Sequence, residues 1–223
     1  GFEYLKMRVG RNGLGEAEER VAIMRKALGD DVKIMVDVNG AWDADETPDR
    51  VADLAALGVC VVEQPVTADA AALADLAGRC ALPLMADESM VTLADAEKLM
   101  EDGAKKVWLN VRLSKNGGLW PARSIIESAV EADVPFVIGC MVGESSILSA
   151  AQRQLVWQAG MVRFVEGNYG RFLLAGDLVR RPLRFGYGGR LGPPKCREGA
   201  GLGVEVDPAR LERYGTLVKT LRA

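Results

Sequence analysis

The 223-residue sequence contains no histidine. That absence excludes Ser-His and Cys-His nucleophilic catalysis, histidine-bearing zinc sites and any imidazole base. Cysteine is scarce. Cys60, Cys80, Cys140 and Cys196 are widely spaced with no C-x-x-C pair, and Cys60 and Cys140 sit in apolar runs, the pattern of reduced core thiols. No apolar run approaches the roughly 18 residues of a membrane helix. The opening Gly1-Phe2-Glu3-Tyr4 lacks the basic-then-apolar order of a secretory leader. A basic excess is missing too: the formal net charge is -3 and the pI about 5.3, which leaves no electrostatic footprint for nucleic acid. The expectation is a soluble, cytoplasmic protein without nucleic-acid or membrane partners, whose chemistry rests on carboxylates, lysine, arginine and a metal.

What is present is an ordinary globular balance, 49% hydrophobic and 26% charged, enough to bury one large core. Short β-branched runs alternate with Ala- and Leu-rich amphipathic stretches, the signature of βα units on a parallel sheet. The pattern predicts seven strands near 4–9, 33–38, 60–63, 83–87, 106–112, 135–139 and 162–165. Between them it predicts six helices near 15–29, 44–57, 68–79, 92–102, 117–132 and 145–158. Within strands, Leu5, Met7 and Val9 oppose Lys6 and Arg8. Ile34, Val36 and Val38 oppose Lys33, Met35, Asp37 and Asn39, and Val107, Leu109 and Val111 oppose Lys106, Trp108, Asn110 and Arg112. An open doubly wound sheet meets helices on both faces and asks for apolar residues on both, whereas the mouth of a barrel tolerates polar, catalytic side chains on its inner face. The expectation is therefore an α/β, TIM-like barrel over residues 1–166. Seven strands leave it one short of eight, which implies a longer natural protein or completion by another chain. Residues 167–223, rich in Gly, Pro and Arg, read as an extended tail without a further helix.

Asp37, Glu63 and Asp87 each end a strand and are 26 and 24 residues apart, one βα unit each time. Three successive strands thus deliver three acids to one rim, the C-terminal face where barrel active sites lie. An all-oxygen set without His or Cys suits Mg2+ or Mn2+. Strand-terminal acids also serve as helix N-caps, the reading that fits Asp43 and Asp45; Glu63, in the apolar Val61-Val62-Glu63-Gln64-Pro65, is a poor cap. Gly117-Gly118 at a helix start is a weak phosphate signal, better explained by a turn. Of the four tryptophans, Trp42 alone lies beside the acid-bearing loops.

The strings VDVNGAW (36–42), VEQPV (62–66) and ADES (86–89) closely resemble the metal-binding strand ends of the enolase superfamily, especially its muconate-lactonizing branch. LKMRVG (5–10) stands where that branch has a KxK strand, and NVRLSKNGG (110–118) where it has its second catalytic lysine. GCMVGESSI (139–147) stands at a substrate-facing strand end, and GLGVEVD (201–207) resembles the segment returning to the capping domain. The resemblance implies a (β/α)7β barrel whose first strand and N-terminal capping domain are absent from this chain, so that residues 1–166 are strands two to eight. It implies a Mg2+ or Mn2+ ion on Asp37, Glu63 and Asp87, with Asn39 beside them. It also implies a small-molecule carboxylate substrate, whose α-proton a lysine removes, and a homo-oligomer.

By position Lys6 is the first KxK lysine, while Arg8 and Arg112 stand at the two lysine positions that normally do the chemistry; Lys115 follows three residues on. Guanidinium stays protonated well above neutral pH, which makes Arg8 and Arg112 poor bases but good carboxylate clamps or enediolate stabilisers. Both also neutralise an acidic mouth. Lys6 becomes the remaining base if neighbouring cations lower its pKa. Glu144 and Ser145 are candidates for substrate contact or for a helix cap. Glu166 and Asn168 stand where dipeptide epimerases of the branch carry Asp-x-Asp. The leading expectation is a metal-dependent isomerase (racemase, epimerase or cycloisomerase). The alternatives are an acid-sugar dehydratase, a homologue that binds metal and ligand without catalysis, and a metal-free phosphate-site barrel.

Overall fold

A computed structural model describes residues 1–9, 17–103, 106–194 and 201–219. Strands β1 (Tyr4–Arg8), β2 (Lys33–Asp37), β3 (Val59–Glu63), β4 (Leu84–Ala86), β5 (Val107–Val111) and β6 (Phe136–Ile138) alternate with helices α1 (Ala17–Leu28), α2 (Thr47–Ala56), α3 (Ala70–Arg79), α4 (Leu93–Gly103), α5 (Leu119–Glu131) and α6 (Ser146–Ala159). All six strands are parallel and pair in chain order. The expected elements are present within a few residues; the predicted start of α1 at 15–16, Gly10 and Cys196 lie outside the described residues. Among those described, no helix is long and apolar enough to cross a membrane.

The period-2 alternation sorts side chains into two separate cores. Ile34, Val36, Val62, Leu84, Leu109 and Ile138 pack outward with the helices. Met35, Val61, Met85 and Val137 form a small inner cluster with Tyr4, Trp108 and Phe164. A flat sheet would keep its first and last strands far apart, yet the Tyr4 and Phe164 rings stack with centroids 5.3 Å apart. The sheet is therefore curled into a half-barrel, closed internally by side chains. Each fully buried Val, Leu or Ile contributes about 1.5–3 kcal/mol, so the helix-facing layer dominates stability and the inner layer sets the curvature.

Two expectations are corrected. The seventh strand, expected at 162–165, reduces to a single parallel bridge, Ile138 to Val165, supported by Arg163 N to Phe136 O (3.1 Å) and Glu166 N to Ile138 O (2.9 Å). It has a ladder on one side only, and Val165 is exposed. The tail, expected to lack helices, contains α7 (Gly170–Leu173) and α8 (Pro208–Tyr214). The α8 signals were readable: Asp207 caps Ala209 N and Arg210 N, and Pro208 opens the first turn. Of the cysteines, Cys80 and Cys140 are buried and free, and Cys60 is half-buried with its thiol 3.3 Å from Ile34 O.

The tail is tied to the start of α6 by a polar knot. Asp177 accepts from Ser146 Oγ (2.6 Å) and Ser146 N (3.1 Å), while Leu183 N donates to Ser146 Oγ (2.9 Å). The antiparallel bridge Val179 to Val206 and the Arg210 Nη1 bond to Val179 O (2.8 Å) hold the returning segment. Asp177→Ala strips the helix N-terminus of its acceptor, and hydrogen bonds to charged groups contribute about 1.5–3 kcal/mol. The expected outcome is about 2 kcal/mol lost in urea denaturation, with faster protease cleavage within 167–194; unchanged cleavage sinks the idea that this knot pins the tail.

Candidate active site at the barrel mouth

Asp37 and Glu63 are the last residues of β2 and β3 and sit side by side in register, with Arg8 beside Asp37 on β1; Asp87 follows β4. All three acids are buried. The chain turns away after each strand through unusual backbone. Asn39 (φ 50°) and Gln64 (φ 38°) adopt the left-handed region, which costs a non-glycine residue of order 1–3 kcal/mol. Gln64 offsets that cost with its side chain. Its Oε1 accepts from Asp87 N (2.9 Å) and Ser89 N (3.1 Å), and its Nε2 donates to Val66 O (2.8 Å) and Ser89 Oγ (2.6 Å). One buried amide thus fixes the backbone that presents Asp87.

Four cations interleave with the acids. Lys6 Nζ lies 2.9 Å from Glu63 Oε2, 3.5 Å from Asp37 Oδ2 and 2.5 Å from Glu166 Oε1. Arg8 Nε is 3.3 Å from Asp37 Oδ2. Arg112 Nη2 reaches Glu63 Oε1 at 3.3 Å and is paired with Asp87 Oδ2. Lys115 Nζ is 2.9 Å from Asp87 Oδ1, and donates to Asp87 O (2.7 Å) and Asn110 O (2.8 Å). Asn110 Nδ2 donates to Glu63 Oε1 at 2.7 Å.

Above this layer lies a cavity of about 1250 Å3, lined by Lys6, Arg8, Asp87, Arg112, Lys115, Glu166 and Asn168, with Tyr4, Phe164 and Tyr169 among its apolar walls. Six of the expected site residues therefore line one cavity, with Asp37 and Glu63 buried in contact with its cations. Three do not line it. Asn39 is exposed and reaches Glu88 (3.4 Å). The Glu144 carboxylate is taken by Met141 N (2.6 Å) and Ser114 Oγ (3.2 Å). Ser145 occupies the N-cap position of α6 without a side-chain cap bond. Asn168, at φ 56°, donates to Leu183 O and so anchors the tail as it lines the cavity. Trp42 is a core residue under Arg50. Gly117 and Gly118 have φ of 83° and 99°, the turn reading. Asn110, Lys115 and Gln64 are the polar residues that sequence reasoning left out of the site. Lys115 had a signal in NVRLSKNGG, and Asn110 had one in the inward face of its strand.

Crowding shows in the proton affinities. Burial pushes the Glu63 carboxyl up to about 7 despite the pull of Lys6, with Asp37 and Glu166 adding to the rise. Burial acts to lower the Lys6 pKa, but Glu63, Glu166 and Asp37 together outweigh it and the net shift is upward. As it stands, Lys6 is held protonated by anions rather than released by cations. Burial lowers Lys115 in spite of Asp87. Arg112 is raised, its burial outweighed by Asp87 and Glu63.

The donor set fits a hard divalent ion. It is all oxygen and buried, the chemistry such an ion takes, although Glu63, Asp87 and Glu166 are each paired here with lysine or arginine. Among the described residues no three acids converge on one ion position; Lys6 and Arg112 pair with them, and an ion would have to displace those contacts.

Residues 1–210 match the family model described as enolase C-terminal domain-like. The chain belongs to that family. It is 33% identical to an N-succinyl-L-Arg/Lys racemase of Bacillus cereus over 169 residues, 74% of this chain and 45% of that protein. It is 29% identical to muconate cycloisomerase 1 of Pseudomonas putida over 216 residues, 94% of this chain and 54% of that protein. A dipeptide epimerase from Cytophaga hutchinsonii, solved with Mg and the dipeptide D-Ala-L-Val, superposes with a TM-score of 0.83 at 27% identity, covering 96% of this chain and 56% of that one. The chain thus spans about half the length of the relatives it matches and corresponds to the barrel portion of the enolase-family fold.

Two outcomes follow for the metal-free protein. Arg112→Met leaves Asp87 and Glu63 without their shared guanidinium, and breaking a buried pair costs about 3–5 kcal/mol; denaturation in EDTA reads it, and a cost under about 1 kcal/mol refutes the buried pairing. For Glu63 the folded pKa of about 7 stands above the ordinary 4.5. Between those values the folded chain keeps a proton that the unfolded chain has lost. This stability is fully present below about 4.5 and is lost as pH rises through about 7. Thermal stability in EDTA is expected to fall from about pH 5 to about pH 8, and Glu63→Gln to flatten the slope; a wild-type slope of opposite sign contradicts the assignment.

Proposed function

We propose that this barrel is the catalytic portion of a divalent-metal-dependent isomerase, a racemase, epimerase or cycloisomerase, acting on a small-molecule carboxylate. The observation that carries the reading is the set of three buried strand-end acids, Asp37, Glu63 and Asp87, beneath one cavity and interleaved with cations. Asp37, Glu63 and Asp87 would hold Mg2+ or Mn2+. The bound ion supplies a Lewis acid that binds the substrate carboxylate and stabilises charge developing on it.

Charge bookkeeping supports the reading. With Glu63 ionised, Asp37, Glu63, Asp87 and Glu166 supply four negative charges, and Lys6, Arg8, Arg112 and Lys115 four positive ones, each within ion-pair distance of at least one group of opposite sign. Adding a divalent ion leaves two positive charges over. With Lys6 neutral before transfer one positive charge would be left for the substrate carboxylate; once its α-proton has moved to Lys6, the two positive charges would match the two negative charges of the deprotonated substrate. Lys6 is the candidate for proton transfer. Once Asp37 and Glu63 are committed to an ion, Lys6 loses the attraction that keeps its pKa up and meets like-charge repulsion instead, and both move it toward the range of a general base. Arg8 and Arg112 remain charged; Arg8, its side chain 58% exposed, is placed to clamp a substrate oxygen.

A second reading has its own observation: with four charges against four, the mouth is neutral without any ion. That suits a homologue that binds ligand without catalysis. The test is solvent-deuterium incorporation at the α-carbon across a panel of carboxylates, including dipeptides and N-acyl amino acids, using the full natural protein. The expected result is exchange that requires Mg2+ or Mn2+ and falls at least about 100-fold in Lys6→Ala and Asp87→Asn. Binding without exchange across the panel establishes the second reading, and loss of water without α-exchange points to a dehydratase.

A further inference from the structure

The inner face of β5 carries a residue that neither the ion-pair network nor the proposed proton transfer uses. Asn110 is fully buried, and its Nδ2 donates across the barrel interior to Glu63 Oε1 at 2.7 Å. Its Oδ1 is buried with no hydrogen-bond partner. The space for that oxygen exists because the residue that follows β6 is Gly139: a Cβ there would lie 2.1 Å from Asn110 Oδ1. Gly139 has no positive φ, so the requirement for glycine is the room it leaves. The amide orientation is also determined, because a flip would set Oδ1 against the Glu63 carboxylate.

Resting on the metal reading above, we infer that Asn110 is a positioning residue for Glu63, held in place by the missing side chain of Gly139, and that this pair sets the affinity of the mouth for a divalent ion. The three groups bonded to the Glu63 carboxylate differ in kind. Lys6 and Arg112 are cations, repelled when a divalent ion arrives. The Asn110 amide is neutral and keeps its bond to Oε1 as the cations withdraw. It therefore orients the carboxylate in the ion-bound state, as outer partners of metal ligands generally do, with losses of 10–100-fold in affinity when they are removed. The main-chain oxygen of Asn110 also accepts from Lys115 Nζ (2.8 Å), which holds Asp87. One residue of β5 thus touches the supports of two of the three acids.

The test measures Mn2+ binding by electron paramagnetic resonance in the full natural protein without substrate. The variants are Asn110→Ala, Gly139→Ala, the double variant and Glu63→Gln, with folding checked by circular dichroism. The expected result is a loss of about 10–100-fold for each single variant and no further loss when Gly139→Ala is added to Asn110→Ala, because the clashing amide is then gone. Wild-type affinity in Asn110→Ala, with binding abolished in Glu63→Gln, overturns the inference and leaves the metal reading standing; so does an additive double variant. If Glu63→Gln binds Mn2+ as the wild type does, the metal reading itself fails and this inference with it.

Discussion

Buried negative charge at one end of a curled sheet is the constraint on which the rest of this structure depends. Asp37, Glu63, Asp87 and Glu166 lie almost fully out of water, and isolated carboxylates in such surroundings cost far more than a fold can supply. Each is therefore matched by a cation from a different strand or loop: Lys6 and Arg8 from β1, Arg112 and Lys115 from the end of β5. These pairs cross the interior of the half-barrel and, together with the inner apolar cluster, hold its curvature. They also leave Glu63 with a proton affinity near neutrality, the sign of a site close to the limit of the charge it can carry.

The same crowding connects structure to function. A mouth that is neutral with its own cations in place can admit a divalent ion only if lysine and arginine withdraw, and it can keep both only if an anionic ligand enters with the ion. Arg8 and Arg112 give this mouth a permanently charged rim. Lys6 is the strand amine that this arrangement places among the buried acids.

Much of this was legible from the chain. The alternation around Lys6 and Arg8, Asp37 and Asn39, Asn110 and Arg112 separated inner from outer faces because successive side chains of a strand point oppositely. The spacing of Asp37, Glu63 and Asp87 assigned them to one rim because parallel strands joined by crossover helices all end at the same face. Less legible were the non-repetitive parts. Glu144 and Ser145 were grouped with the site because the resembled family contacts substrate there, and here the Glu144 carboxylate accepts from Met141 N of its own loop and from Ser114 Oγ. The tail read as extended because its glycines and prolines obscured α7, while the Asp207-Pro208 start of α8 was a local signal that composition outweighed.

By itself the sequence determined which side chains are available and which rim they share: no imidazole, three acids one βα unit apart, and arginine beside them. These follow from side-chain inventory and from the periodicity of strands, both local properties. Only the tertiary structure decided who meets whom. That Lys6 lies among three carboxylates, that Asn110 reaches Glu63 over a gap left by Gly139, and that Asp177 ties the tail to Ser146 all join residues 29 or more positions apart. Such contacts are set by the curl of the sheet and the packing around it, and the strand period carries no information about either.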